Sequence, residues 1–130
     1  MIATNSNDQS GILVVEDQLL LAMDLTMLLT REGYETLGPC KDVDAALKLL
    51  QRATPEAAIL DINLGSGITS EAIAEALERK GVPFAFLTAY SSDIPIVKRF
   101  PVALFVNKPL TARTLKTLLE NLSHLVDETH

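Results

Sequence analysis

The chain has 130 residues, of which 48% are hydrophobic and 22% charged, the balance of one folded domain and not of a disordered segment. Lys and Arg number 11 against 17 Asp and Glu, a formal charge of -6, which disfavours nucleic acid as a direct partner. The single cysteine, Cys40, excludes an internal disulfide, so nothing in the sequence asks for an oxidising compartment.

Residues 1–10, MIATNSNDQS, are polar and lack the basic start and apolar stretch of a secretion signal. They read as a disordered tail ahead of one domain at 11–126, with 127–130 as a second short tail. The longest apolar region, Ile12 to Leu29, is interrupted by Glu16, Asp17, Gln18 and Asp24, which hydrocarbon would not tolerate. No membrane span is expected, and the cytoplasm is the default location.

Ile12 to Val15 reads as a first strand and ends in the acidic pair Glu16 and Asp17. Gln18 to Arg31 follows as a helix with the inner stripe Leu21, Leu25, Leu28 and Leu29, stopped by Gly33. Leu20, Met23 and Met27 form a second apolar stripe on it, which is extra packing, a docking face or a self-association surface. Tyr34 to Leu37 is a weak second strand, broken by Gly38 and Pro39. A helix from about Asp42 then turns Val43, Ala46, Leu47 and Leu50 inward, with Pro55 past its end.

Glu56 into Asp61 forms the third strand, and the loop Asn63 to Ser70 contains Gly65 and Gly67, which permit backbone shapes that other residues resist. The next helix starts near Ser70 and buries Ala72, Ile73, Ala76 and Leu77. Glu71 in its first turn, Arg79 and Lys80 in its last, and Gly81 just beyond all agree with the helix dipole and capping rules. Phe84 to Leu87 is the fourth strand, closed by Thr88. Only Asp93 to Phe100 can hold a helix after it, and Pro95 and Pro101 confine that helix to about two turns. Ala103 to Val106 is the fifth strand, closed by Lys108 and Pro109. A final helix, capped by Thr111, carries Leu115, Leu118, Leu119, Leu122 and Val126 inward.

Regular alternation of strand and helix implies right-handed crossovers and a parallel sheet, an α/β fold built as a three-layer α/β/α sandwich. The carboxyl ends of such strands line one crevice, where ligands bind. Glu16, Asp17, Asp61, Thr88 and Lys108 are therefore expected to meet there. Three carboxylates in a low-dielectric pocket repel one another unless Lys108 or a metal ion offsets them. Each residue also has a blander explanation. Acidic residues suit a helix start, Asp61 could form a turn, Thr88 could bond nearby backbone, and Lys108 could be solvated. These explanations lose force when taken jointly. His124 and His130 lie outside any cluster of ligand spacing, and a helical bundle carrying phosphate on His124 conflicts with the strand signals.

The motifs VVED, LDIN, FLTAY and FVNKP stand in order at successive strand ends. Together they resemble the receiver domain of two-component response regulators, over nearly the whole chain after residue 10. The resemblance implies a flavodoxin-like five-stranded parallel sheet of order 2-1-3-4-5, here with a short or irregular fourth helix. It implies Asp61 as phosphoacceptor, Asp17 as a direct ligand to Mg²⁺ (or Mn²⁺), Glu16 as a ligand through water, and the backbone carbonyl of Asn63 as a further ligand. Thr88 and Lys108 would contact the phosphoryl group, and Phe105 takes the position of the switch aromatic. Such an ion favours oxygen donors and is commonly held by one or two carboxylates.

By the same resemblance the phosphodonor is a sensor histidine kinase or a histidine phosphotransfer protein. The domain is expected to stand alone as a monomer or weak homodimer, signalling to a downstream protein without being a turnover enzyme. Bulky Tyr90 near the pocket suggests a long-lived phosphoryl group. One rival is a magnesium-dependent phosphatase or phosphotransferase with an aspartyl-phosphate intermediate, acting on a diffusible substrate; no substrate-binding cap or second acidic pair supports it. The other is a flavodoxin-like cofactor binder, but an acidic pair stands where a phosphate-cradling loop would follow the first strand.

Overall fold

Apolar runs bounded by turn residues form the strands β1 (Ile12–Val15), β2 (Thr36–Cys40), β3 (Ala57–Asp61), β4 (Phe84–Thr88) and β5 (Leu104–Asn107). Between and after them lie α1 (Leu19–Arg31), α2 (Val43–Arg52), α3 (Glu71–Lys80), α4 (Ile94–Arg99) and α5 (Ala112–Thr129). The computed structural model describes residues 11–89 and 94–129, with side chains at 11–89 and 95–124. Every neighbouring pair of strands is parallel, in the order β2-β1-β3-β4-β5, the expected flavodoxin-like arrangement.

β1, β3 and β4 are buried at every position, which is why they read as continuous apolar runs and not as alternating ones. Their period of two divides the core. Leu13, Ala58, Leu60, Phe84 and Phe86 pack with Ala46, Leu50, Ile73 and Leu77 of α2 and α3. Ile12, Val14, Ile59, Ala85 and Leu87 pack with Leu25 and Leu29 of α1 and with Leu115 and Leu122 of α5. The helices thus cover both faces of the sheet.

β2 departs from expectation, since Gly38 and Pro39 lie inside it instead of breaking it. Its pairing with β1 runs from Ile12↔Thr36 and Leu13↔Leu37 to an irregular step ending at Val15↔Cys40. β2 is an edge strand, where a proline without an N–H and a local bulge are tolerated. Gly38 is required there: its φ is +91°, and a Cβ would lie 2.6 Å from the Cys40 nitrogen. The strand therefore delivers Cys40 to the end of β1, where its carbonyl accepts the Glu16 N–H at 2.9 Å.

The inner helix faces also shift. α1 buries Ala22 with Leu25 and Leu29, α2 buries Leu49 more deeply than Leu47 or Val43, and α3 buries Ala74 while Ala72 is exposed. Leu21 leaves the core. Size explains the alanines, because a small side chain lets the helix axis approach the sheet, whereas counting large apolar residues favours the flanks of the stripe. α5 continues through residues 127–129, expected as a tail. The readings placed on residues 1–10, Tyr90, the Val126 side chain and His130 lie outside the described residues.

α4 is six residues long, within the limit that Pro95 and Pro101 set. Its last residue, Arg99, forms ion pairs with Glu71 and, at 2.7 Å, with Glu75 of α3. Its guanidinium also lies 5.3 Å from the centre of the Phe100 ring. Phe100 is buried and meets Phe84 and Phe86 edge-on, at centroid distances of 5.9 and 5.8 Å. Aromatic burial and exposed ion pairs differ widely in worth. Phe100→Ala should lower unfolding free energy by about 3–5 kcal/mol, and Arg99→Ala by less than about 1 kcal/mol. Urea titration of both variants checks this, and equal losses would contradict the assignment of the anchor to the ring.

Candidate functional site

The strand register aligns the carboxyl ends of four strands. Val15 is beside Leu60, Asp61 beside Leu87, and Thr88 beside Asn107. Glu16 and Asp17 thus leave β1 next to the end of β3, and Lys108 leaves β5 next to Thr88. Backbone bonds hold these exits: the Lys108 N–H donates to the Thr88 carbonyl at 2.9 Å, and the Ile62 N–H to the Leu87 carbonyl at 3.1 Å.

Glu16, Asp17 and Asp61 each offer a carboxylate oxygen within 4.8 Å of the others. Lys108 Nζ donates to Asp61 Oδ2 at 3.0 Å and lies 3.3 Å from Glu16 Oε1. The backbone N–H of Gln18 donates to the second oxygen of Glu16 at 3.1 Å. Glu16, Asp61 and Thr88 are 2%, 5% and 5% exposed, while Asp17 is open to solvent. Glu16, Asp17, Asp61 and Lys108 thus come together, and Thr88 ends the adjoining strand with its carbonyl bonded to the Lys108 N–H. Asn63 stands two residues past Asp61 at the base of a closed loop, bridged to Thr69.

One ammonium faces three carboxylates, so the pocket carries surplus negative charge. Burial pushes the Glu16 carboxyl up to about 7, with the charge of Asp61 adding to the effect and the Gln18 N–H and Lys108 opposing it. For Lys108, burial alone would lower the ammonium, but the hydrogen bond and charge of Asp61, with those of Glu16, outweigh it and raise the group. A buried carboxyl and a buried ammonium both resist their charged forms, and their proximity, with the Gln18 N–H on Glu16, offsets part of that cost. The donor set is all hard oxygen, with neither thiolate nor imidazole in the cluster. That chemistry fits a divalent ion such as Mg²⁺ or Mn²⁺ and not a zinc-type site.

Phe105 occupies the middle of β5 and is 56% exposed. Leu104 and Val106 pack toward α1 and α5, so Phe105 projects from the opposite face of the sheet. Sequence reasoning missed a cleft of about 120 Å³ beside the site, lined by Glu16, Leu21, Asp24, Leu25, Pro109 and Lys108 among others. Leu21, which the helical spacing assigns to the core stripe, is 36% exposed. Its spacing from Asp24 on the same helix face is the signal that it borders solvent. The neighbouring stripe of Leu20, Met23 and Met27 is exposed by 77%, 51% and 55%, so it is a surface and not additional core.

Comparison with known proteins agrees with this geometry. The family described as response regulator receiver domain matches residues 12–120. The transcriptional regulatory protein PdtaR of Mycobacterium tuberculosis is 32% identical over 80 residues, which cover 62% of this chain and 39% of that protein. The chain therefore spans well under half the length of that relative. Among solved structures, SdrG from Sphingomonas melonis Fr1 is 35% identical with a TM-score of 0.76, covering 88% of this chain and 96% of that one. The signal receiver domain of a modulated diguanylate cyclase from Desulfovibrio desulfuricans G20 is 27% identical with a TM-score of 0.83, covering 95% and 100%.

The raised Glu16 predicts how stability depends on pH in the metal-free chain. Between 4.5 and about 7 the folded chain keeps a proton on Glu16 that the unfolded chain has released. Stability should therefore fall as pH rises through that window, with a slope approaching about 1.4 kcal/mol per pH unit. Urea midpoints in a chelating buffer at pH 5, 6 and 7 measure it. Glu16→Gln should flatten the slope, and an unchanged slope in that variant would assign the effect elsewhere.

Proposed function

This chain belongs to the response regulator receiver domain family, and on that premise we propose that Asp61 accepts a phosphoryl group from a sensor histidine kinase or a histidine phosphotransfer protein and signals to partner proteins by a change of shape. The observation that carries this reading is Lys108 Nζ, 3.0 Å from the Asp61 carboxylate within the acidic cluster. A carboxylate is a weak nucleophile toward phosphorus unless it is held in line and the charge on the transferring oxygens is offset. Asp61 is buried at a strand end, which fixes its direction of attack. One of its oxygens forms the new bond to phosphorus, the phosphorus–nitrogen bond of the donor breaks, and the electron pair stays with the donor imidazole. Lys108 would pair with a phosphoryl oxygen as that transfer proceeds, and the Thr88 hydroxyl would donate to another. Glu16, Asp17 and Asp61, with the backbone carbonyl of Asn63, would hold Mg²⁺ or Mn²⁺, which supplies neutralising charge at the transferring oxygens.

The acyl phosphate adds about -1.5 to -2 charges and three acceptor oxygens, drawing the Thr88 hydroxyl toward it. Phe105, without a hydroxyl, follows by packing into the space behind Thr88. The cleft that Glu16 and Lys108 line is bordered by Leu21 and Leu25 of α1, and the same helix exposes its apolar stripe, together a surface suited to an amphipathic donor helix. No described helix is long and apolar enough to cross a membrane. We place the reaction in the cytoplasm, with the domain as a monomer or weak homodimer.

Incubation with acetyl phosphate and Mg²⁺ should place an acyl phosphate on the peptide containing Asp61. Asp61→Asn should remove the label, and label surviving in that variant would overturn the assignment. Met23→Glu should slow transfer from a kinase by about tenfold, a loss of about 1.4 kcal/mol in docking, while leaving acetyl phosphate labelling unchanged. Equal loss with both donors would contradict docking on α1.

A further inference from the structure

The loop after Asp61 is a closed hairpin. Asn63 bridges Thr69, the Leu64 N–H donates to the Ile68 carbonyl at 2.8 Å, and the Ile68 N–H donates to the Gly65 carbonyl at 2.9 Å. Leu64 is buried beneath it, and the Ser70 N–H donates back to the Ile62 carbonyl at 2.9 Å. Three successive residues at its tip have left-handed φ, Gly65 at +91°, Ser66 at +54° and Gly67 at +76°. The hairpin sets Gly65 against the acidic cluster. A Cβ on Gly65 would lie 3.4 Å from Asp17 Oδ2, its one neighbour within 4 Å.

We propose that Gly65 is a positioning residue for the divalent ion, its bare α-carbon leaving one flank of the Asp17 carboxylate open to the ion and its waters. This rests on the metal-dependent function proposed above. At 3.4 Å a methyl group fits without collision, but it takes the place of water on that oxygen and dries the carboxylate. Mg²⁺ gives up its waters reluctantly and keeps several when bound. Groups that support a ligand from outside the coordination sphere commonly change metal affinity by about 10–100-fold.

Gly67 supplies a matched control, because it shares the hairpin and the left-handed backbone while a Cβ there meets nothing within 4 Å. Alanine at either position strains the turn, but only at 65 does it touch Asp17. Calorimetric titration of the full chain with Mg²⁺ should show affinity about tenfold weaker in Gly65→Ala and near wild type in Gly67→Ala, with similar drops in melting temperature. Gly65→Asn, whose residue type tolerates the left-handed region, should also weaken Mg²⁺ and decides the matter if the alanine variant fails to fold. Acetyl phosphate labelling of the Gly65 variants should be slow at limiting Mg²⁺ and recover when Mg²⁺ is raised. Equal affinities in the Gly65 and Gly67 variants would make Gly65 a turn residue only. Absence of Mg²⁺ binding to the wild-type chain would instead remove the proposed function, and this inference with it.

Discussion

A single ammonium shared between two buried carboxylates governs this molecule. Lys108 lies 3.0 Å from Asp61 and 3.3 Å from Glu16, and with Asp17 beside them the charges do not cancel. Asp17 stays open to solvent, but burial of Glu16 and Asp61 weakens the screening that water would supply to this imbalance. The pocket relieves part of it by holding Glu16 near the point of losing its proton. A pocket in that condition favours whatever brings positive charge in.

The sheet creates this condition by construction. Parallel strands deliver their ends to one edge, and the order β2-β1-β3-β4-β5 places β1 and β3, the two strands that end in acids, side by side at its centre. β4 and β5 bring the hydroxyl and the ammonium from the next two positions. The peripheral strand β2 contributes backbone only, through the Cys40 carbonyl that receives the Glu16 N–H. The polar groups gather where the strands are most deeply buried, while the outward faces of α1 and β5 leave Leu20, Met23, Met27 and Phe105 exposed.

Much of this was legible in the residues themselves. Asp61 and Thr88 follow apolar runs that burial in a parallel sheet makes continuous, so their place at strand ends could be read directly. Lys108 before Pro109 marked another such end. Three features resisted reading, each for a physical reason. Gly38 and Pro39 are turn residues almost everywhere except on an irregular edge, so β2 was drawn too early and too short. Ala22 and Ala74 carry little apolar weight, yet they are buried with the large residues of their helices because they are small. The approach of Gly65 to Asp17 joins positions 48 apart in the chain and is created by hairpin closure, for which local pattern carries no signal.

The aromatic trio beneath α4 has a mechanical consequence. Phe84 and Phe86 share a face of β4 with Thr88, two residues further on, and Phe100 closes on them from the far end of α4. That end is held by the ring packing and by the ion pairs of Arg99 with Glu71 and Glu75. Close-packed rings leave little room for strand and helix to move independently at that point. Any shift of β4 would therefore be felt at the C-terminal end of α4 through Phe100.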